Sequence, residues 1–130
     1  METTKITAEP LMIGDWVSID NKPHKVTGIQ ICDGIMCVQT DYTDTYYSIE
    51  NYAPIPLTAD VLEKNGWYIP KNSSWWQNNE VDFYIVGYTD GLFEIYTDGD
   101  SEFSNLCRIN HVHELQNLYR ICRINKEIVL

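Results

Sequence analysis

The sequence predicts an α+β protein made of two small, mainly antiparallel β lobes, a short linking helix and a C-terminal amphipathic helix. Three observations carry this reading. Short alternating runs of β-branched and aromatic residues are punctuated by Asp-Gly turns at Asp33-Gly34 and Asp90-Gly91. A proline-rich break, Ala53-Pro-Ile-Pro-Leu57, splits the runs into two groups. Near the end Val112, Leu115, Leu118, Tyr119 and Cys122 recur at spacings of three and four, the period of one helical face.

Residues 1–57 make the first expected lobe. Leu11 to Ile19 leads into a strand with Val17 and Ile19 on one face and Trp16 on the other. Asp20-Asn-Lys-Pro23 reads as a turn, because Asn favours turn backbones and Pro cannot donate to a ladder. His24 to Ile31 resumes a strand. Asp33-Gly34 then reverses the chain, since both central positions of a type I′ turn require positive φ. Ile35 to Gln39 returns, and Tyr46 to Ile49 supplies a fourth strand. Four short strands with tight connections suggest a small meander or an SH3-like barrel.

Residues 58–130 make the second lobe, and the two together are also compatible with one compact domain. Thr58 suits the N-cap of a short helix, Ala59 to Asn65, stopped by Gly66, with Val61 and Leu62 toward the core. Gly66 to Ile69 and Trp75 to Gln77 fit short strands around a polar turn at Lys71 to Ser74. Val81 to Gly87 and Leu92 to Thr97 form a hairpin about Asp90-Gly91. After the turn Asp98-Gly-Asp100, Glu102 to Ile109 adds a last strand. Asn110 caps the final helix, which is expected to pack across the second sheet and to run toward Asn125, or to give way to a strand at Glu127 to Leu130.

Composition narrows the function classes. The 130 residues are 44 % hydrophobic and 12 % aromatic, enough apolar surface to offset chain entropy without disulfide or metal support. Nineteen acids against nine bases leave a formal charge of −10, which repels DNA and RNA and supplies few cations to neutralise phosphates. No Lys or Arg occurs between Lys25 and Lys64, or between Lys71 and Arg108, while acids accumulate in both gaps. Those stretches predict a solvated acidic surface or a face that meets a basic partner. The N-terminus lacks the basic start and apolar run of a signal peptide, and no segment is apolar enough to span a membrane, so a cytoplasmic protein is expected. Cys32, Cys37, Cys107 and Cys122 are then expected reduced, as small hydrophobes in or near the core.

Three stretches, Ile13-Gly-Asp-Trp-Val17, Pro54-Ile-Pro-Leu-Thr58 and His111-Val-His-Glu-Leu-Gln-Asn-Leu-Tyr119, resemble a family of small uncharacterised proteins from gut Bacteroides genomes, prophages and conjugative elements. The resemblance spans nearly the whole chain and implies a compact α+β scaffold with a link to mobile elements. It implies no catalytic residues. Members of that family tend to run after the Tyr into a small-residue and Gly ending, where this chain continues as Arg120-Ile-Cys-Arg-Ile-Asn125.

Candidate sites are few. His111 and His113 form an HxH pair that Cys107 and Cys122 could join around zinc, but on a helix the two histidines diverge by about 200°. A helix-start pair serving capping or packing fits better. Asp98-Gly-Asp-Ser-Glu102 alternates oxygen ligands without the twelve-residue loop and terminal acid of a calcium site. No GxSxG, HExxH, GxxxxGK[ST] or GxGxxG motif occurs, so no catalytic residue, metal or cofactor is assigned. The densest aromatic region is Trp67, Tyr68, Trp75, Trp76, Phe83, Tyr84 and Tyr88, and in a strand Trp75 and Trp76 point to opposite faces.

The sequence therefore predicts a non-enzymatic protein-interaction module of mobile-element association. Its candidate partner-binding residues are Trp75, Trp76, Asp98, Asp100 and Glu102, and its partner is another protein, basic if the acids carry the contact. The alternatives are an acidic mimic of nucleic acid that inhibits a DNA-binding protein, an enzyme with an unrecognised site, and, more weakly, an aromatic groove that holds a sugar.

Overall fold

The computed structural model describes residues 11–88, 91–98 and 103–130, with backbone alone for 97–98 and 103–106. It is α+β, with one four-stranded and one three-stranded antiparallel sheet and two α-helices. The chain divides into two compact units. One takes the residues up to Ile55 together with His111–Leu118, and the other takes Pro56–Asn110 together with Tyr119–Leu130.

The first unit is a meander of β1 (Trp16–Ile19), β2 (Lys22–Cys32), β3 (Ile35–Thr40) and β4 (Thr43–Ser48), paired in chain order. Asp33 and Gly34 have φ of 53° and 78°, the type I′ geometry the Asp-Gly signal requires, and the hairpin register sets Cys32 opposite Ile35 and Gln30 opposite Cys37. The turn before it is tighter than expected. Asp20 and Asn21 alone make it, with φ of 49° and 63°, and Pro23 lies inside β2 opposite Ser18. Pro23 is tolerated because pairing with β3 begins only at Val26, so the missing N–H falls on an edge stretch.

Leu11, Val17, Val26, Val38 and Tyr52 form the core of this unit, with Ile19, Ile29, Met36 and Ile49 packed around them. The Tyr52 hydroxyl donates to the Val38 carbonyl at 2.6 Å, so burial leaves it satisfied. The expected SH3-like closure is reduced to a single bridge. After β4 and a 3₁₀ turn, Ile49–Asn51, the chain meets the outer edge of β1 only through Ser18 and Ala53, which exchange bonds of 2.8 and 2.9 Å. Among the described residues the sheet is thus an open meander and not a closed barrel.

The second unit starts with α1 (Ala59–Lys64). Thr58 Oγ1 accepts from Val61 N–H at 3.3 Å, the expected N-cap. Gly66, at φ 87°, ends the helix in a Schellman motif: its N–H bonds the Glu63 carbonyl and Trp67 N–H bonds that of Leu62. Leu62 and Trp67 are both buried, as that motif favours. Val61 is only partly buried.

A three-stranded antiparallel sheet follows, of β5 (Phe83–Gly87), β6 (Phe93–Asp98) and β7 (Phe103–Ile109), paired in chain order. Phe83, Ile85, Phe93, Ile95 and Ile109 point to one face and are buried with Trp67 and Trp76. Trp67 Nε1 donates to Tyr119 Oη at 2.8 Å within this core.

The last helix, α2, runs Val112–Ile121, and its start is one residue later than an Asn110 cap implies. His111 holds the N-cap position, where its N–H donates to Glu114 Oε1 at 3.1 Å and its carbonyl accepts from Leu115 N–H at 3.4 Å. Leu115 and Leu118 are buried, as the periodicity predicts. The helix was expected to lie wholly with the second lobe, but His111–Leu118 belong to the first unit. Gln116 shows why: its Oε1 accepts from Trp16 N–H at 2.8 Å and its Nε2 donates to the Gly14 carbonyl at 3.0 Å. A side-chain amide satisfies backbone as a neighbouring strand would, and it joins two of the three stretches that carry the sequence resemblance.

The helix stops at Ile121, which leaves Cys122 exposed and off the apolar face. Cys107 is exposed and Cys32 and Cys37 are half-buried, so the cysteines are not core residues. No strand forms at Glu127–Leu130; the tail is fixed instead by Asn65, whose side chain bonds both backbone groups of Val129.

Candidate functional site

Among the described residues the second unit holds two shallow concave surfaces, and the path of the chain after Gly66 builds them. Tyr68 pairs with Gln77 and Trp76 pairs with Ile85 through isolated bridges, which extend the sheet beyond β5. The reversal between them uses Asn72 at φ 68°, a conformation Asn tolerates. Strand alternation then sends Trp76 inward and Trp75 and Gln77 outward.

The adjacent tryptophans therefore part. Trp76 is 9 % exposed and belongs to the core, which removes it from the candidate binding surface. Trp75 is partly exposed on the outer face. Its ring centroid lies 5.1 Å from that of Tyr96 and 6.1 Å from that of Tyr84, the second pair edge to face, both within the range of favourable aromatic contacts. Tyr84 and Tyr96 are directly opposite in the β5–β6 ladder, so one sheet face presents all three rings.

Two adjacent depressions flank this cluster. One, of about 370 Å³, is lined by Asn72, Ser73, Ser74, Trp75, Gln77 and Tyr84. The other, of about 430 Å³, shares Gln77 and Tyr84 and adds Asn78, Asn79, Val81, Asp82 and Phe83. Ser73 Oγ accepts from Trp75 N–H at 3.1 Å, and Asn79 Oδ1 accepts from the Tyr68 hydroxyl at 2.9 Å. Asn78 is buried and structural, bonding the Asn65 carbonyl and Glu80 N–H at 3.0 Å each.

Farther along the same strands Glu94 is buried, with Arg108 Nε at 3.2 Å and the Tyr96 hydroxyl at 2.5 Å. The hydrogen bond to Glu94, then desolvation, push the Tyr96 phenol up to about 12. That shift keeps the phenol protonated at neutral pH, so Tyr96 donates its hydroxyl hydrogen to Glu94. Of the expected acidic surface, Asp98 closes β6 opposite Phe103, with its side chain outside the described set, and Asp100 and Glu102 lie outside the described residues.

The histidines form a separate group in the first unit. His111 Nδ1 lies 2.9 Å from Glu114 Oε1, the helix-start role expected of it. His113 is 4 % exposed, and its Nδ1 has no hydrogen-bond partner among the described residues. Contrary to the divergence expected on a helix, the two rings stack at 5.8 Å with planes 15° apart. The reason is that His111 precedes the first helical residue, so helical geometry does not fix its direction. Burial holds the His113 imidazole below its ordinary pKa, against the opposing charges of Glu114 and Asp15. His24 pairs with Asp41 at 3.0 Å. Among the described residues no cluster of His, Cys, Asp and Glu could hold a metal ion.

Desolvation, then Cys32, raises the Cys37 thiol pKa, which lowers its thiolate fraction. Among the described residues no helix is long and apolar enough to cross a membrane.

Compared with known protein families, curated proteins and solved structures, the chain matches none of them.

The sequence singled out Trp75 and Tyr84 but missed Asn72, Gln77 and Tyr96. Parity along the strands could have found Gln77, two residues from Trp75. Tyr96 needed the β5–β6 register, which depends on the connection after Tyr88, where Asp90 of the expected Asp90-Gly91 turn lies outside the described residues.

Proposed function

We propose that the chain is a non-enzymatic recognition module whose binding surface is the outer face of the second sheet around Trp75. The observation that carries this reading is the parting of Trp75 from Trp76. One ring builds the core, while its neighbour stands partly exposed beside a groove, clustered with two tyrosines that hold it in place. Exposed aromatics fixed in this way dominate recognition surfaces, because they contribute large contact area with little entropy left to lose. The acidic mimicry reading draws less support: Glu94, within the acidic stretch, is buried and paired with Arg108 rather than displayed. A link to mobile elements rests on the sequence resemblance alone.

Site-specific cross-linking tests the assignment. A benzophenone amino acid at Ser74, on the groove, should give a discrete adduct in cells of the native host, while the same group at Asp44, on β4, should not. The absence of both a polypeptide adduct at Ser74 and any ligand binding that depends on Trp75, or equal labelling at both positions, would reject the surface.

A further inference from the structure

The chemistry lining the groove narrows the ligand. All six residues around the 370 Å³ depression are uncharged: one Trp, one Tyr, two Ser, one Asn and one Gln. An anionic ligand would find no cation there and would meet a chain of net charge −10. A cationic peptide would need carboxylates; the lining of this depression offers none, and that of the adjoining one offers a single carboxylate, Asp82.

What the lining does offer is a flat aromatic face beside groups that both donate and accept. Asn and Gln amides and Ser hydroxyls match a ligand whose own polar groups are hydroxyls, since each hydroxyl also donates and accepts. The partly exposed Trp75 ring, braced by Tyr96 and Tyr84, gives an apolar plane against which the C–H face of a sugar ring can lie. Each depression falls within the roughly 300–1,000 Å³ of small-ligand sites. Because the two share Gln77 and Tyr84 as a common wall, they suit a ligand of several linked units better than a single one.

We propose that the paired depressions at Trp75 and Tyr84 bind a neutral oligosaccharide chain. The proposal rests on the recognition reading above and names its ligand class. Trp75 stacks on one sugar ring, Asn72, Ser74 and Gln77 hydrogen-bond its hydroxyls, and the chain continues past Tyr84 toward Asn79 and Asp82.

The test is native gel retardation in galactomannan, xylan, mixed-linkage β-glucan and yeast mannan, together with an array of neutral glycans. At least one neutral glycan should bind. Its affinity should fall tenfold or more in Trp75→Ala, partly recover in Trp75→Phe, and stay constant between 0.05 and 0.5 M salt, since no charge pair is involved. Gln77→Ala, whose fold is checked by circular dichroism, should also weaken binding. Failure to bind any neutral glycan, or binding unchanged in both Trp75→Ala and Gln77→Ala, overturns the proposal. A polypeptide adduct at Ser74 with no glycan binding overturns the ligand class and leaves the recognition surface standing. No adduct and no glycan binding removes both.

Discussion

Asn65 and Val129 exchange two hydrogen bonds of 2.8 Å, the amide Nδ2 donating to the Val129 carbonyl and Oδ1 accepting from its N–H. The same Nδ2 donates to the Val61 carbonyl at 2.7 Å. A helix C-cap side chain thereby does for the C-terminal tail what a neighbouring strand would do. It also keeps Ile128, 1 % exposed, in the core of the second unit.

Asn65→Ala should therefore destabilise the protein by about 1–3 kcal/mol, the cost of leaving partly buried backbone groups unpaired. Asn65→Asp should be worse, because a carboxylate would face the carbonyls of Val61 and Val129 where the amide donated. Denaturant midpoints of the two variants check the order, and an Asp variant as stable as wild type would refute the reciprocal pairing.

Much of the fold was legible because it is written in local chemistry. Asp33-Gly34, Thr58 and Gly66 each impose a backbone state that few residues satisfy, and each acts as the sequence predicts. The apolar period of α2 likewise marked Leu115 and Leu118. Long-range bonds were not legible. Gln116 reaches Gly14 and Trp16 across about a hundred residues, so nothing in its own neighbourhood shows that the start of α2 serves the first unit. The candidate site was half legible for the same reason: parity separated Trp75 from Trp76, while the partner Tyr96 needed a strand register.

The end of α2 tests a departure noted in the sequence. Arg123 adopts φ 57°, with its N–H on the Arg120 carbonyl, and Ile124 N–H bonds the Tyr119 carbonyl at 2.8 Å, a Schellman motif with Arg where Gly is usual. Arg123→Gly should stabilise by about 0.5–1 kcal/mol, since relief of left-handed strain outweighs the greater freedom of Gly in the unfolded chain. Arg123→Val should destabilise. Thermal midpoints that move the other way would show that Arg123 is held by its side chain and not merely tolerated.

His113 gives stability a pH dependence of defined sign. Its folded pKa lies below the unfolded value near 6.5, so the unfolded chain binds more protons as pH falls. The stabilisation from keeping it neutral is present above the unfolded pKa and is lost as pH drops below about 6.5, by at most about 1.4 kcal/mol per pH unit for one proton. Glu114 and Asp15 oppose the shift and His111 adds to it, so the loss should be shallower than that limit. Urea denaturation at intervals from pH 7.5 to 5.0 should show the slope in wild type and a reduced slope in His113→Gln; identical slopes would place the titration elsewhere.

The two adjacent tryptophans supply the sharpest contrast between scaffold and surface. Trp76→Ala should cost about 3–5 kcal/mol, because it removes a buried ring and leaves a cavity beside Ile85. Trp75→Ala loses only a partly exposed ring and its contacts with Tyr84 and Tyr96, each such pair contributing about 0.5–1.5 kcal/mol beyond area. The Trp75 variant should therefore stay folded at 25 °C with a modest drop in denaturant midpoint, while its ligand affinity falls tenfold or more. If both variants lost stability equally, Trp75 would be a core residue, and the recognition surface would lose the residue on which it is centred.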